Sequence, residues 1–454
     1  KSLEDAKKYL EENNINIVDS VIIQIYNNCE NIVKEVVIYN NKDYYSKNIK
    51  IDKYLTNKSI GIPIMLLLLG LIFWITIVGA NYPSSILSNM FFGMEHSIQS
   101  ILEYIHLPDF IINILIDGVY KVVTWVVSVM LPPMAIFFPL FTILEDLGYL
   151  PRIAFNMDKL FKKCNACGKQ ALTMCMGFGC NACAITSCRI IDSPRERLIA
   201  ILTNNFVPCN GRFPTLISII SMFFIGGAIG IYNSFFSAVF LILIILLGVS
   251  MTFLISNILS KTILKGIPTN FTLELPPYRK PEILKTIVRS IFDRTLFVLG
   301  RAIVVSIPAG IIIWLMANIT ISDKTILLYI TDFLNPFANL MGLDGIILMA
   351  FILGFPANEI VFPIIIMSYL GENTLMEIDN INQLKELLLL NDWTLNTAIC
   401  MTIFCIFHWP CSTTCLTIYK ETKSKKWTFI SFIIPTLIGV IMCVSITLIF
   451  KIFS

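Results

Sequence analysis

Between Gly177 and Pro214 the chain reads GFGCNACAITSCRIIDSPRERLIAILTNNFVPCNGRFP, a glycine-broken passage rich in thiols and amides. Cys180 follows Gly179, Cys209 follows Pro208, and far downstream Cys411 follows Pro410. A proline or glycine beside a cysteine opens the helix and leaves polar backbone next to the sulfur. Thiolates suit soft and borderline cations, whereas amide and carboxylate oxygens suit harder ones. Asn181, beside Cys180, and Asn358 with Glu359, in GFPANE (354–359), supply such oxygens at two of the breaks. These six residues are the candidate metal-contacting set, with Cys180, Cys209 and Cys411 as transient ligands.

Other chemistry-bearing residues have plainer readings. Cys29, Cys400, Cys405 and Cys443 read as small hydrophobes, the usual state of a buried cysteine. Cys164–Cys167 and Cys180–Cys183 are both CxxC, yet a structural zinc site needs two such pairs to converge, or histidine partners. The three histidines, His96, His106 and His408, lie elsewhere. His408, between Phe407 and Trp409, reads as packing. Glu145–Asp146 divides between a functional pair and an interfacial partner for Arg152. Arg195-Glu196-Arg197 reads as an anchoring loop. Gly168-Lys169-Gln170 lacks the hydroxyl and upstream glycine of a phosphate-binding loop, so no nucleotide hydrolysis is expected of this chain.

The elements that must position these residues are apolar helices. Hydrophobic residues fill 56% of 454 positions and charged ones 14%, at a mean hydropathy of +0.75. Soluble domains carry about 25% charge, so the class is an all-α polytopic membrane protein. A net charge of +3 gives no reason to expect nucleic acid as a partner. The thirteen cysteines lie in apolar spans or on the basic side, which favours reduced thiols. The sequence begins at Lys1 with no signal-peptide pattern before the first apolar run, and reads as a piece of a longer protein.

In order, 1–48 shows one apolar stripe (Val18, Val21, Ile22, Ile25, Cys29, Ile32, Val33, Val36), the mark of a small helical segment. Ile60–Ala80 is a first span and 84–107 an interfacial helix, together filling 49–107. A long passage at 110–147 is interrupted by Pro132, Pro133 and Pro139. Further spans are expected at 198–225, 232–256, 296–318, 397–419 and 428–452. Basic loops belong on the cytoplasmic side. Holding Lys50–Lys58, Arg152–Lys169, Arg189–Arg197, 261–301 and 420–426 there requires 170–188 to be re-entrant, broken at Gly177 and Gly179. The acidic stretch with Glu372, Glu377 and Asp379 makes 345–369 re-entrant from the other side. About seven crossings and two re-entrant elements result.

GKQALTMCMGF (168–178) and GIILMAFILGF (345–355) share glycines at the same spacing, followed by Asn181 and Asn358 at equal offsets. Val207-Pro208-Cys209 has a counterpart in Trp409-Pro410-Cys411. Inverted repeats with discontinuous helices at midplane mark secondary-transporter folds. The expected division is therefore gate repeat 1 over 108–256, a basic linker over 257–291 and gate repeat 2 over 292–454.

LEDLGYLPRIAFNMDKL (144–160), GFGCN (177–181), DSPRERL (192–198), ELPPYRKPEI (274–283) and HWPCSTTCLTIYKETKSKKW (408–427) together resemble the membrane region of ferrous iron transport protein B, from about Lys50 to the C-terminus. The resemblance implies import of Fe²⁺ as substrate across the inner (cytoplasmic) membrane, through two gate-like repeats and past Cys180, Cys209 and Cys411. It also implies an N-terminal G domain, the part that would bind GTP and Mg²⁺ and gate or power transport, followed by a helical domain of which 1–48 would be the tail. Implied partners are that G domain, the lipid bilayer, small cytosolic proteins of the ferrous iron system and a second copy in a homo-oligomer. Asn358 stands where many members carry lysine, which puts any role assigned through that lysine in doubt. The rivals left open are a nucleoside-type organic-solute carrier and a membrane scaffold or sensor whose cysteines only pack.

Overall fold

The structure is a computed structural model that describes residues 17–36, 42–164, 166–224, 231–266, 277–321, 324–371 and 381–453. It divides into two compact units, Lys1–Tyr54 and Leu55–Ser454. The first carries helix α1 (Ile17–Val36) and most of α2 (Lys42–Leu55). The expected stripe is present on α1, with Val21, Ile22, Ile25, Ile32, Val33 and Val36 exposed.

Among its described residues the second unit is helical apart from connecting turns and one pair of two-residue strands (Thr320–Ile321 with Lys324–Thr325). It is an all-α polytopic membrane protein. Among the described residues six helical passages are long and apolar enough to cross a bilayer, and a seventh is counted if a pair bent by 110° is one span. α3 (Lys58–Gly93) begins at Asn57, whose side chain accepts from Ser59 N, and runs unbroken through Pro63 and Pro83. Its 36 residues span about 54 Å at 1.5 Å each, well beyond the ~30 Å of hydrocarbon. The first span was expected to stop at Ala80. Proline removes one hydrogen bond but does not end a helix whose neighbours keep its other backbone groups dry. The interfacial element is shorter than expected, α4 (Glu95–Tyr104), with no buried residue.

α5 (Lys121–Asp146) likewise passes Pro132, Pro133 and Pro139 without breaking. α3 packs along it, Phe73 stacking near Phe137 at 6.0 Å and meeting Phe178 and Phe213 edge-on. α6 (Tyr149–Lys163) follows the left-handed turn at Gly148 (φ 80°). Then come α7 (Gln170–Gly179), α8 (Asn181–Ser187), α9 (Pro194–Thr203), α10 (Phe213–Ile219) and α11 (Ile231–Lys261). The passage expected as one span at 198–225 is thus two short helices joined through the 3₁₀ turns Asn204–Phe206 and Asn210–Arg212, with an extended break at 207–209 between them.

The second half comprises α12 (Ile283–Ser290), α13 (Phe297–Asn318), α14 (Ile326–Leu340), α15 (Gly345–Leu353), α16 (Val361–Leu370), α17 (Ile381–Leu390), α18 (Leu395–Phe407), α19 (Ser412–Thr422) and α20 (Lys425–Phe453). α14, unassigned from sequence, forms the bent pair with α15. The acidic stretch read at 372–379 lies outside the described residues.

Candidate functional site

Each half contains two interruptions, and the interruptions match in backbone geometry. Cys180, between α7 and α8, has φ −156° and ψ 125°. Ala357, at the corresponding place before Asn358, has φ −149° and ψ 119°. Cys209 (φ −87°, ψ 169°) and Cys411 (φ −61°, ψ 161°) are both extended residues that restart a helix. The corresponding residues thus share extended dihedrals, although the chain restarts as an α-helix at Asn181 and as a 3₁₀ turn at Asn358–Ile360.

The first break falls at Cys180 rather than at Gly177 and Gly179, which remain helical. Those glycines serve close approach: a Cβ at 179 would stand 2.6 Å from Phe138, and one at 177 would stand 3.3 Å from Asn204 Oδ1. Cys180, half-buried, begins the new helix, so the thiol sits beside the unpaired amides of a helix start.

The four interruptions converge. Asn204 Nδ2 donates to Asn181 Oδ1 at 3.2 Å, and Asn181 Nδ2 donates to Asn205 Oδ1 at 3.4 Å. Asn205 Nδ2 reaches across to the second half, donating to the His408 carbonyl at 2.8 Å. Ser412 N donates to the Phe355 carbonyl at 2.9 Å, joining the third and fourth breaks. Glu359, only 8% exposed, lies over the backbone of Gly211, where an added Cβ would overlap its carboxylate. Cys209, Cys411 and Cys180 stand within electrostatic range of one another, and Glu359 within range of Cys209 and Cys411. Of the six expected residues, Asn181 is hydrogen-bonded into this network, Asn358 meets it through His408, and Cys180, Cys209, Cys411 and Glu359 lie beside it.

His408 is more than packing. Its ring lies 4.8 Å from Phe351 and 6.0 Å from Trp409, as expected of an aromatic filler. Nδ1, however, is 3.1 and 2.9 Å from the Phe404 and Cys405 carbonyls. Carbonyls only accept, so Nδ1 carries the proton. Nε2 lies 3.2 Å from Asn358 Oδ1; in a neutral ring Nε2 accepts, so pairing there calls for the carboxamide in its flipped orientation, with N–H₂ toward the ring.

Asn204, Asn205 and Arg212 were missed as site residues. All three are buried, Arg212 to 1%. The signal available was depth: a charge inside an apolar passage is functional by default, and Arg212 lies between Pro208 and Pro214. Among the described residues no three His, Cys, Asp or Glu side chains stand together as a metal cage, which covers the two CxxC pairs as well. Glu145–Asp146 lies at a cavity of about 750 Å³ with Arg279, Lys280 and Arg289, and Asp146 accepts from Thr286 at 2.6 Å. Arg152 stacks over Tyr278 at 4.1 Å and donates to the Gly148 carbonyl. Arg195-Glu196-Arg197 is the first turn of α9, not a loop, capped by Ser193. Beside it Lys169 bonds Asp192 at 2.7 Å, which holds that carboxyl below the usual range. Arg189 at the end of α8 bonds Glu421 of α19 through two nitrogens, at 2.7 and 2.9 Å, tying the halves at their basic ends.

Two family profiles match the chain. One, described as "Gate: Nucleoside recognition", covers residues 127–223 and 299–425. The other, "Ferrous iron transport protein B C terminus", covers 241–294. Among curated relatives, the chain is 30% identical over 420 residues to a Fe(2+) transporter FeoB of Staphylococcus aureus, covering 89% of this chain and 60% of the relative. It is 24% identical over 418 residues to one of Campylobacter jejuni, covering 89% and 65%. It is 29% identical over 269 residues to a Porphyromonas gingivalis protein named a Fe(2+) transport protein A/Fe(2+) transporter FeoB fusion, covering 59% and 30%. The chain therefore spans about three-fifths of the length of the first of these relatives. No solved structure matches it.

Proposed function

Because the chain belongs to the ferrous iron transport protein B family, as its membrane region, we propose that it forms the path by which Fe²⁺ is imported across the cytoplasmic membrane. The observation that carries this reading is the meeting of four helix interruptions in one buried polar network, with Cys209 and Cys411 within electrostatic range of each other, of Cys180 and of Glu359. Cys180, Cys209 and Cys411 would contact the ion in passing, with Asn181, Glu359 and Asn358 supplying oxygens. Ligands that do not close into a cage suit an ion that must leave as readily as it enters, since tight four-coordinate sites hold their metal. Thiols favour Fe²⁺ over Mg²⁺ or Ca²⁺, because soft donors prefer first-row transition ions.

The proposal extends to organisation. Gate repeats over 108–256 and 292–454 would be joined by the linker 257–291 and lie in opposite orientations, with the N-terminus cytoplasmic. The unit Lys1–Tyr54 would follow a GTP-binding domain that gates or powers transport. The fused relative's name supports a small protein A partner. The second reading, a nucleoside-type carrier, is favoured only by the profile description. A thiol-lined path offers nothing to a ribose or a base.

The test is Fe²⁺ uptake into sealed proteoliposomes under anaerobic conditions, wild type against Cys209→Ser and Cys411→Ser. Loss of uptake in either variant with unchanged melting is the expected result. Uptake intact in both would refute the thiol ligands, and uptake of labelled nucleoside in place of iron would establish the rival.

A further inference from the structure

Arg212 is held in an unusual way for a charge at membrane depth. Nη1 donates to the Ile406 carbonyl at 2.7 Å and the Asn205 carbonyl at 3.2 Å. Nη2 donates to Asn205 Oδ1 at 3.2 Å, and to the Trp409 and His408 carbonyls at 3.3 and 3.4 Å. All five acceptors are neutral oxygens. Nε has no partner. A buried guanidinium is ordinarily matched by a carboxylate, because an uncompensated charge at low dielectric is costly. This one is instead wrapped by oxygens in the manner of a bound ion.

The carbonyls of 406–409 lack helical partners for a reason legible in the sequence. The Ile406 carbonyl would ordinarily accept from the N–H four residues on, but residue 410 is proline and has none. His408 and Trp409 lie in the extended break after α18. The carbonyls therefore form the negative end of a half-helix. In secondary transporters with broken helices, unwound carbonyls and half-helix C-termini are where a coupling cation such as Na⁺ is held. The offset that pairs Cys209 with Cys411 pairs Arg212 with Thr414, so only one of the two repeats carries the charge.

We propose that the Ile406–Trp409 carbonyls with Asn205 form a monovalent-cation site that Arg212 occupies permanently, as a tethered replacement for a coupling ion. The guanidinium supplies the charge that closes the two repeats on each other, and no free alkali cation is needed there. This rests on the reading of the four breaks as the translocation site, but not on iron as the substrate.

The experiment is thermal melting of the purified full chain in detergent at equal ionic strength in choline, Na⁺ or K⁺ chloride, for wild type, Arg212→Met and Arg212→Lys. Wild type is expected to melt alike in all three. Arg212→Met should melt several degrees lower in choline and recover progressively as Na⁺ or K⁺ replaces it, the midpoint rising with the logarithm of the cation concentration, because a ligand bound only to the native state stabilises it in that way. Arg212→Lys retains a charge at the site and should stay close to wild type and indifferent to the salt. An Arg212→Met protein equally unstable in every salt, or unfolded in all of them, overturns the proposal. So does a wild type that itself depends on Na⁺, or an Arg212→Lys variant rescued by Na⁺. None of these outcomes bears on iron uptake, so the two readings fail separately.

Discussion

Gly211→Ala tests whether Glu359 is positioned by the first repeat. Gly211 lies in the short 3₁₀ turn Asn210–Arg212 and is not among the residues with positive φ. Alanine therefore meets no backbone penalty there. What it meets is Glu359: the new Cβ would overlap one carboxylate oxygen and stand 2.6 Å from Cδ and 3.3 Å from Cγ. The carboxylate must swing away into a site where it is 8% exposed. Overpacking of this kind costs about 1–3 kcal/mol, which corresponds to roughly a 5- to 150-fold change in an equilibrium. The expected result is a fall in initial Fe²⁺ uptake within that range and a lower melting midpoint. The decisive assay is a double-mutant cycle with Glu359→Ala, since residues in contact depart from additivity. In the Glu359→Ala background the added methyl has room, so Gly211→Ala should cost neither further uptake nor further stability. An equal drop in melting midpoint in both backgrounds would refute the packing argument.

Asn205→Ala removes a donor to His408 O and an acceptor for Arg212 and Asn181 at once. Leaving buried polar groups unpaired costs about 1–3 kcal/mol each, so a clearly lower melting midpoint is expected by scanning calorimetry or dye binding, and a midpoint equal to wild type would show the cross-repeat bridge to be idle. Arg189→Ala breaks a pair whose arginine is 69% exposed. Exposed pairs contribute little and are screened by salt, so uptake should be unchanged and any small loss of melting midpoint should vanish in high salt; a loss that persists there would show that the pair does more than tie two surface ends.

The breaks were largely legible because each is written in local chemistry. Pro208, Pro410 and the GFPANE segment interrupt helices by withholding an N–H or by turning the chain, and those effects act within a few residues. The residues before the two asparagines at equal offsets, Cys180 and Ala357, share extended dihedrals. Three things misled the reading. Pro132, Pro133 and Pro139 read as interruptions in the sequence, yet α5 carries all three unbroken, because its neighbours re-satisfy the freed backbone groups. Gly177 and Gly179 mark a hinge in the sequence, whereas in the fold their missing side chains make room for Asn204 and Phe138. His408 was read from its aromatic neighbours, which gives the packing but not the Asn358 contact.

By itself the sequence determined a polytopic all-α membrane protein, the places where its helices must open, and the family to which it belongs. Hydropathy, charge and backbone donors are properties of residues and their near neighbours, and need no fold to be read. Only the tertiary structure decided that breaks some 200 residues apart meet, that Asn205 bridges the two halves, and that Arg212 is wrapped by the carbonyls Pro410 leaves free. An isolated arginine in a sequence carries a charge but no partner, and its partners are chosen by how the helices pack.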